Sequence, residues 1–152
     1  MGLRLALMAR AIGINHVALE VGHVGEALAW YGTFLDFELR GLRPTMAWID
    51  LGDQFLALTS PRRQGPDDGR HFGLVVDDKE AVRTAVVAMG IDVAPSGGLR
   101  FDDPWGNQVE VVDYRDVQFT KAPAILAALA PGGLRKSEAA REELARKGLD
   151  GY

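Results

Sequence analysis

The sequence predicts an α+β fold made of two copies of one β-α-β-β-β unit. The frames Ile-Asn-His16-Val-Ala-Leu-Glu-Val and Arg-His71-Phe-Gly-Leu-Val-Val each open a run that alternates like a strand. Each run is followed by a helix-like segment and then by short strand-like stretches. The second copy closes with Asn107-Gln-Val-Glu110-Val-Val-Asp113, a further alternating run. Alternation with period two marks a half-buried strand, and a spacing of three to four marks one face of a helix.

In the first unit, residues 14–21 form the opening strand, with Val17, Leu19 and Val21 on one face and His16, Ala18 and Glu20 on the other. Gly22 ends it, and residues 24–34 carry Ala27, Leu28, Trp30, Tyr31 and Phe34 at helical spacing. A short segment at 36–40 and runs at 45–51 and 54–59 complete the strand set, with Gly52-Asp53 as a hairpin turn. The Pro-, Gly-, Asp- and Arg-rich stretch 61–70 reads as a linker. In the second unit, residues 71–76 are a strand and 79–89 a helix stopped by Gly90. Residues 91–93 are expected as a short strand. Residues 99–102 and 107–113 are expected as a hairpin through Asp103-Pro104-Trp105-Gly106. The tail, 115–152, has helical stretches at 122–129 and 137–147, separated by Pro131-Gly132-Gly133. Ser137 and the early glutamates cap the second stretch, which is expected to pack on the body or on a partner.

Composition narrows the function classes. One domain of this length buries a core without staples, and 47% hydrophobic with 25% charged residues is ordinary for a globular protein. A net charge of −4 speaks against a nucleic-acid partner, which requires a basic face. The absence of cysteine removes disulfides, zinc-thiolate sites and thiol nucleophiles. No stretch approaches the ~20 apolar residues of a membrane span. Residues 1–10 lack a signal-peptide pattern, so a cytoplasmic location is expected, with Met8 as an alternative start.

The chemistry sits on the faces opposite the core. His16 points with Ala18 and Glu20, His71 with Gly73 and Val75, and Glu110 with Gln108 and Val112. Two imidazoles and one carboxylate on neighbouring strands are a ligand set for a divalent ion. Fe(II) or Mn(II) suits them best, and Ni(II), Co(II) or Zn(II) are alternatives. A three-residue turn would place Arg100 opposite Glu110 on the same face, where it either clamps an anionic substrate or pairs with Glu110. His23 reads as an exposed residue of the capping region and Glu20 as an exposed strand end. Trp48 reads as either pocket lining or core.

Paired β-α-β-β-β units, a His at the start of both first strands, and Asp103-Pro-x-Gly-Asn-x-x-Glu110 together resemble the vicinal oxygen chelate superfamily. That group includes glyoxalases, fosfomycin-modifying transferases, extradiol dioxygenases and metal-free bleomycin resistance proteins. The resemblance covers residues 12–114 as a single domain, with units at 12–60 and 69–114, and leaves the tail outside. It implies a curved mixed sheet around a metal cavity, with His16, His71 and Glu110 as metal ligands. It also implies a homodimer whose sites take His16 from one chain and His71 with Glu110 from the other. The implied function is a metal-dependent lyase, isomerase, transferase or dioxygenase acting on a small substrate that chelates through vicinal oxygens, with Glu110 and Arg100 at the reacting centre. A metal-free binding protein for sequestration or resistance is the alternative. No membrane partner is implied. One position departs from the family. The glyoxalase carboxylate or amide on the last strand of the first unit is here Ala57, or Leu56 in a shifted register. That weakens a glyoxalase proton-transfer mechanism. The strand around Arg100 also lacks the Ser and Tyr of the fosfomycin enzymes.

Overall fold

The structure is a computed structural model that describes residue 9 and residues 11–149. The expected start at Met8 lies outside the described residues. In chain order the elements are β1 (His16–Glu20), α1 (Val24–Tyr31), β2 (Leu39–Arg43), β3 (Met46–Asp50), β4 (Phe55–Thr59), β5 (Phe72–Val76), α2 (Lys79–Ala88), β6 (Leu99–Asp102), β7 (Gln108–Asp113), α3 (Pro123–Leu129) and α4 (Glu138–Arg146). The strands form two mixed sheets, ordered β1-β4-β3-β2 and β5-β7-β6. In both, the first strand of the unit lies parallel to the last one.

The two units share one core. Leu19, Val21, Val24, Ala27, Tyr31, Ala47, Ile49, Leu56 and Leu58 from the first pack with Val82, Val86, Leu99, Phe101, Val109 and Val111 from the second. Each such aliphatic side chain contributes about 1.5–3 kcal/mol on burial, so the apolar strand faces orient both sheets inward. The rings of Trp30 on α1 and of Phe34 just after it reach Phe101 on β6, with centroids 6.1 and 5.5 Å apart.

A buried polar knot closes the joint. The Tyr31 hydroxyl donates to Asp103 Oδ2 at 2.9 Å, and Asp103 also accepts from the Trp105 and Asn107 backbone and from the Asn107 amide. Burial and the neighbouring Asp103 charge push the Tyr31 hydroxyl pKa far up, so it stays a donor. Asn107 also donates to the Glu20 carbonyl, while Arg62 donates to that carbonyl and to Asn107. The Asp103–Asn107 turn therefore locks the second unit onto the first. Trp105 lies so close to Gly22 that an added Cβ would sit 2.5 Å from its Nε1.

Two expected elements differ. Residues 91–93 form no strand, so the second sheet has three strands where four were expected. The buried Arg83 guanidinium takes the carbonyls of Ala94 and Gly97, and Pro95 offers no backbone donor. The loop that follows α2 is thus held by Arg83 and not by a strand ladder. The segment expected at 36–40 enters the sheet later, as β2 at Leu39–Arg43, with an irregular register between Leu39 and Gly41.

The tail elements attach at separate places. A Cβ on Gly52, at the β3–β4 turn, would meet Ile125 and Leu129 of α3. Lys121 donates to the Leu51 carbonyl and pairs with Asp53. Lys136 donates to the carbonyls of Tyr114, Val117 and Phe119 and lies 3.6 Å from the Tyr114 ring centroid. Burial pulls the Lys136 pKa down to about 8. Ser137 caps α4 through the Ala140 amide, as its sequence signature predicts.

Candidate metal centre

Strand alternation holds at all three expected ligands. Leu19, Leu74, Val109 and Val111 are buried, whereas His16 and His71 are exposed and Glu110 is half-buried. In the second sheet Gly73 pairs with Glu110, and Arg100 pairs with Glu110 from the other side. The Glu110 carboxylate thus stands between a cation and an imidazole. Its Oε2 lies 3.0 Å from Arg100 Nη2 and 3.1 Å from His71 Nε2. A Cβ on Gly73 would meet nothing within 4 Å, so the strand beside these groups is open to a ligand.

Both histidines are set the same way. His71 Nδ1 lies 3.2 Å from the Gly69 carbonyl. His16 Nδ1 lies 2.8 Å from the Asn15 side-chain oxygen and donates to it. The contact leaves the His16 Nε2 without another partner, and His71 Nε2 points at Glu110 Oε2, so a cation between those two atoms would meet both. The His16 ring also stacks on Phe55, with centroids 4.7 Å apart and planes within 6°.

The first sheet repeats this layout without the carboxylate. Ala18 pairs with Ala57 as Gly73 pairs with Glu110, so Ala57 occupies the place of Glu110, while Leu56 faces the core. The strand register therefore resolves the choice between Ala57 and Leu56. Within one chain His16 is not brought to His71 and Glu110. Among the described residues no group of three or more His, Asp or Glu side chains is placed to hold a metal ion.

The remaining candidates have structural partners. His23 caps α1, accepting from the Gly25 and Glu26 amides. Glu20 accepts from the Arg63 and Gln64 amides at 3.0 and 3.1 Å, and these bonds hold its carboxyl below the usual carboxylate range. Trp48 pairs with Ala57 and so stands on the His16 face, half-buried. Around it, Arg40, Gly41, Leu42, Arg43 and Phe55 line a cavity of about 430 Å³. Sequence reading missed Arg40, Arg43 and Phe55, because only the register irregularity at Leu39–Gly41 brings both arginines to one face. A second hollow, about 510 Å³ on the tail at Asp116–Phe119 and Lys147, shares no residue with this face.

A fold of paired βαβββ-type units whose His and Glu side chains stand on the outward strand faces defines a chelate-type α+β domain. The model of the Glyoxalase/Bleomycin resistance protein/Dioxygenase superfamily matches residues 13–111, and the chain belongs to that superfamily. Among solved structures it is similar to a lactoylglutathione lyase from Agrobacterium tumefaciens, at 26% identity and a TM-score of 0.54. That match covers 69% of this chain and 96% of the other. It shares the fold of a putative glyoxalase family protein from Bacillus anthracis, at 24% identity, TM-score 0.54, and coverage of 70% and 98%. It also shares the fold of the fosfomycin resistance protein FosX from Listeria monocytogenes, solved with Mn(II) and sulfate. There the identity is 12%, the TM-score 0.57, and the coverage 67% and 92%. No curated protein matches the chain. No helix among the described residues is long and apolar enough to cross a membrane.

Proposed function

We propose that the protein is a divalent-metal-dependent enzyme of the vicinal oxygen chelate type, working as a homodimer on a small substrate with neighbouring oxygens. The observation that carries this reading is the matched presentation of His71, Glu110 and His16. His71 Nε2 and Glu110 Oε2 meet at 3.1 Å on one sheet, and His16 presents a free Nε2 at the equivalent place on the other. Two neutral imidazoles and a carboxylate fit Fe(II) or Mn(II) best, and Ni(II), Co(II) or Zn(II) remain within the donor chemistry. Because one chain does not gather all three, the third ligand comes from a second copy. The metal-bound relative from Listeria supports a Mn(II)-type site on this fold.

When bound, a divalent ion supplies Lewis-acid stabilisation of an oxyanion or enolate. The chain's own residues orient and select. Arg100, half-exposed beside Glu110, offers its guanidinium to an anionic substrate oxygen. Ala57 supplies neither base nor ligand, which directs the chemistry away from a glyoxalase-type proton transfer and towards addition or ring cleavage. The domain is proposed as residues 12–114, with the 115–152 tail as an appendage, and the protein as cytoplasmic.

A second reading has its own observation. Glu110 Oε2 is already met by Arg100 and His71, so its charge is compensated without a metal. A metal-free binding protein would use the same pocket. The two readings separate on titration of the chelator-stripped protein with Mn(II) and Fe(II). The enzyme reading expects one ion per chain, and about tenfold or greater weakening in each of His16→Ala, His71→Ala and Glu110→Ala, with the fold retained. Absence of stoichiometric binding, or equal affinity in the three variants, overturns it.

A further inference from the structure

We infer that the face of the first sheet beside His16 is a binding subsite for a small aromatic carboxylate. This deepens the proposed function and rests on the reading of His16 as part of that site. Paired strand residues share a face, so His16, Phe55, Ala57, Trp48 and Gly41 stand together. Two guanidinium groups join them. Arg40 lies over the Phe55 ring at 4.6 Å from its centroid, and Arg43 over Trp48 at 5.6 Å. Neither arginine makes an ion pair with a carboxylate among the described residues. The acids on this face, Asp50 and Glu20, accept from backbone amides, of Gly52 and of Arg63 and Gln64.

A guanidinium with no carboxylate partner offers its fork of N–H donors to a planar, two-oxygen anion. The Trp48 ring supplies flat apolar surface for the rest of the ligand, the Phe55 ring already carrying His16 and Arg40. The cavity both rings line, about 430 Å³, is of a size that holds one small molecule. Phe55 links it to the candidate metal ligand, because its ring also carries the stacked His16. A carboxylate on Arg40 and Arg43 would thus place the ligand's other end toward His16. The local sequence serves this arrangement. The irregularity between Leu39 and Gly41 gives β2 an extra residue, and Gly41 leaves room for Trp48, whose Cε3 would lie 3.0 Å from an added Cβ.

The test is calorimetric titration of the full-length protein with benzoate, cyclohexanecarboxylate and benzamide. Benzoate is expected to bind about tenfold tighter than either control, and Arg40→Met/Arg43→Met to abolish that preference. If the arginines merely guard the edge of β2, benzoate and benzamide bind alike, or benzoate binding survives in the double variant; either result overturns the inference. Equal binding of benzoate and cyclohexanecarboxylate overturns its aromatic part. Mn(II) titration of the same samples separates the two readings. Metal binding without benzoate selectivity sinks only this inference, whereas benzoate selectivity without metal binding sinks only the metal site.

Discussion

Arg100 is the residue we propose to meet the charge of the substrate. Its pairing with Glu110 at 3.0 Å follows from the three-residue turn Pro104–Gly106, which the sequence spacing predicts, and the ladder places the two opposite each other. Both remain partly exposed, so the pair itself stabilises the fold little. In Arg100→Met, metal affinity is expected to persist, and oxalate binding to the Mn(II)-loaded protein to weaken about tenfold, as loss of a charge-assisted pair implies. Unchanged oxalate affinity would make Arg100 a structural partner only. Glu20 shows what alternation conveys and what it leaves hidden. The outward direction of Glu20 is legible in the sequence, but its partners are backbone amides of a linker that no periodicity describes. Those amide bonds lower its folded pKa below the ordinary 4.5. At Asp67 burial works against ionisation, yet the Arg70 side chain and the Gln108 amide outweigh it, and its pKa is lowered as well. A depressed carboxylate contributes stability that is present above its unfolded pKa and is lost as pH falls through the folded one. Urea midpoints are therefore expected to drop between about pH 5 and about pH 3, and less steeply in Glu20→Gln. Parallel profiles would remove Glu20 from that account.

At the scale of elements, strand faces were readable and strand edges were not. Val17, Leu19, Leu74, Val109 and Val111 turn inward as their alternation predicts, because a slip of one residue would expose each whole set. The 91–93 segment fails as a strand for a reason that lies on α2. Arg83 is distant in sequence, yet its side chain occupies the carbonyls that a neighbouring strand would have used. The irregularity in β2 is equally silent in a single sequence, since Leu39-Arg-Gly-Leu-Arg43 alternates well enough to suggest a regular strand. Arg83→Met is expected to destabilise the protein by about 1–2 kcal/mol, because the carbonyls of Ala94 and Gly97 lose a charged donor. Urea unfolding measures this, and a loss well under 1 kcal/mol would show that the 91–98 loop holds itself in place.

At the scale of the molecule, one core and the Tyr31–Asp103–Asn107 knot bind two related units into a single body whose candidate ligands still stand on separate sheets. The outward placement of His16, His71 and Glu110 was legible because repeated frames isolate them against apolar strands. Their gathering between two chains was implied by the family resemblance and not by periodicity, which says nothing of how a second copy docks. The central claim is that two chains complete each site. Its most direct measurement is Mn(II) stoichiometry in a refolded equimolar mixture of His16→Ala and Glu110→Ala chains. Neither variant alone is expected to bind stoichiometrically. Random pairing makes half the dimers mixed, each with one site that keeps both native residues, so the mixture should recover about a quarter of the wild-type binding. A mixture that binds no more Mn(II) than its separate components, or a wild-type protein that is monomeric by light scattering, would contradict the shared site.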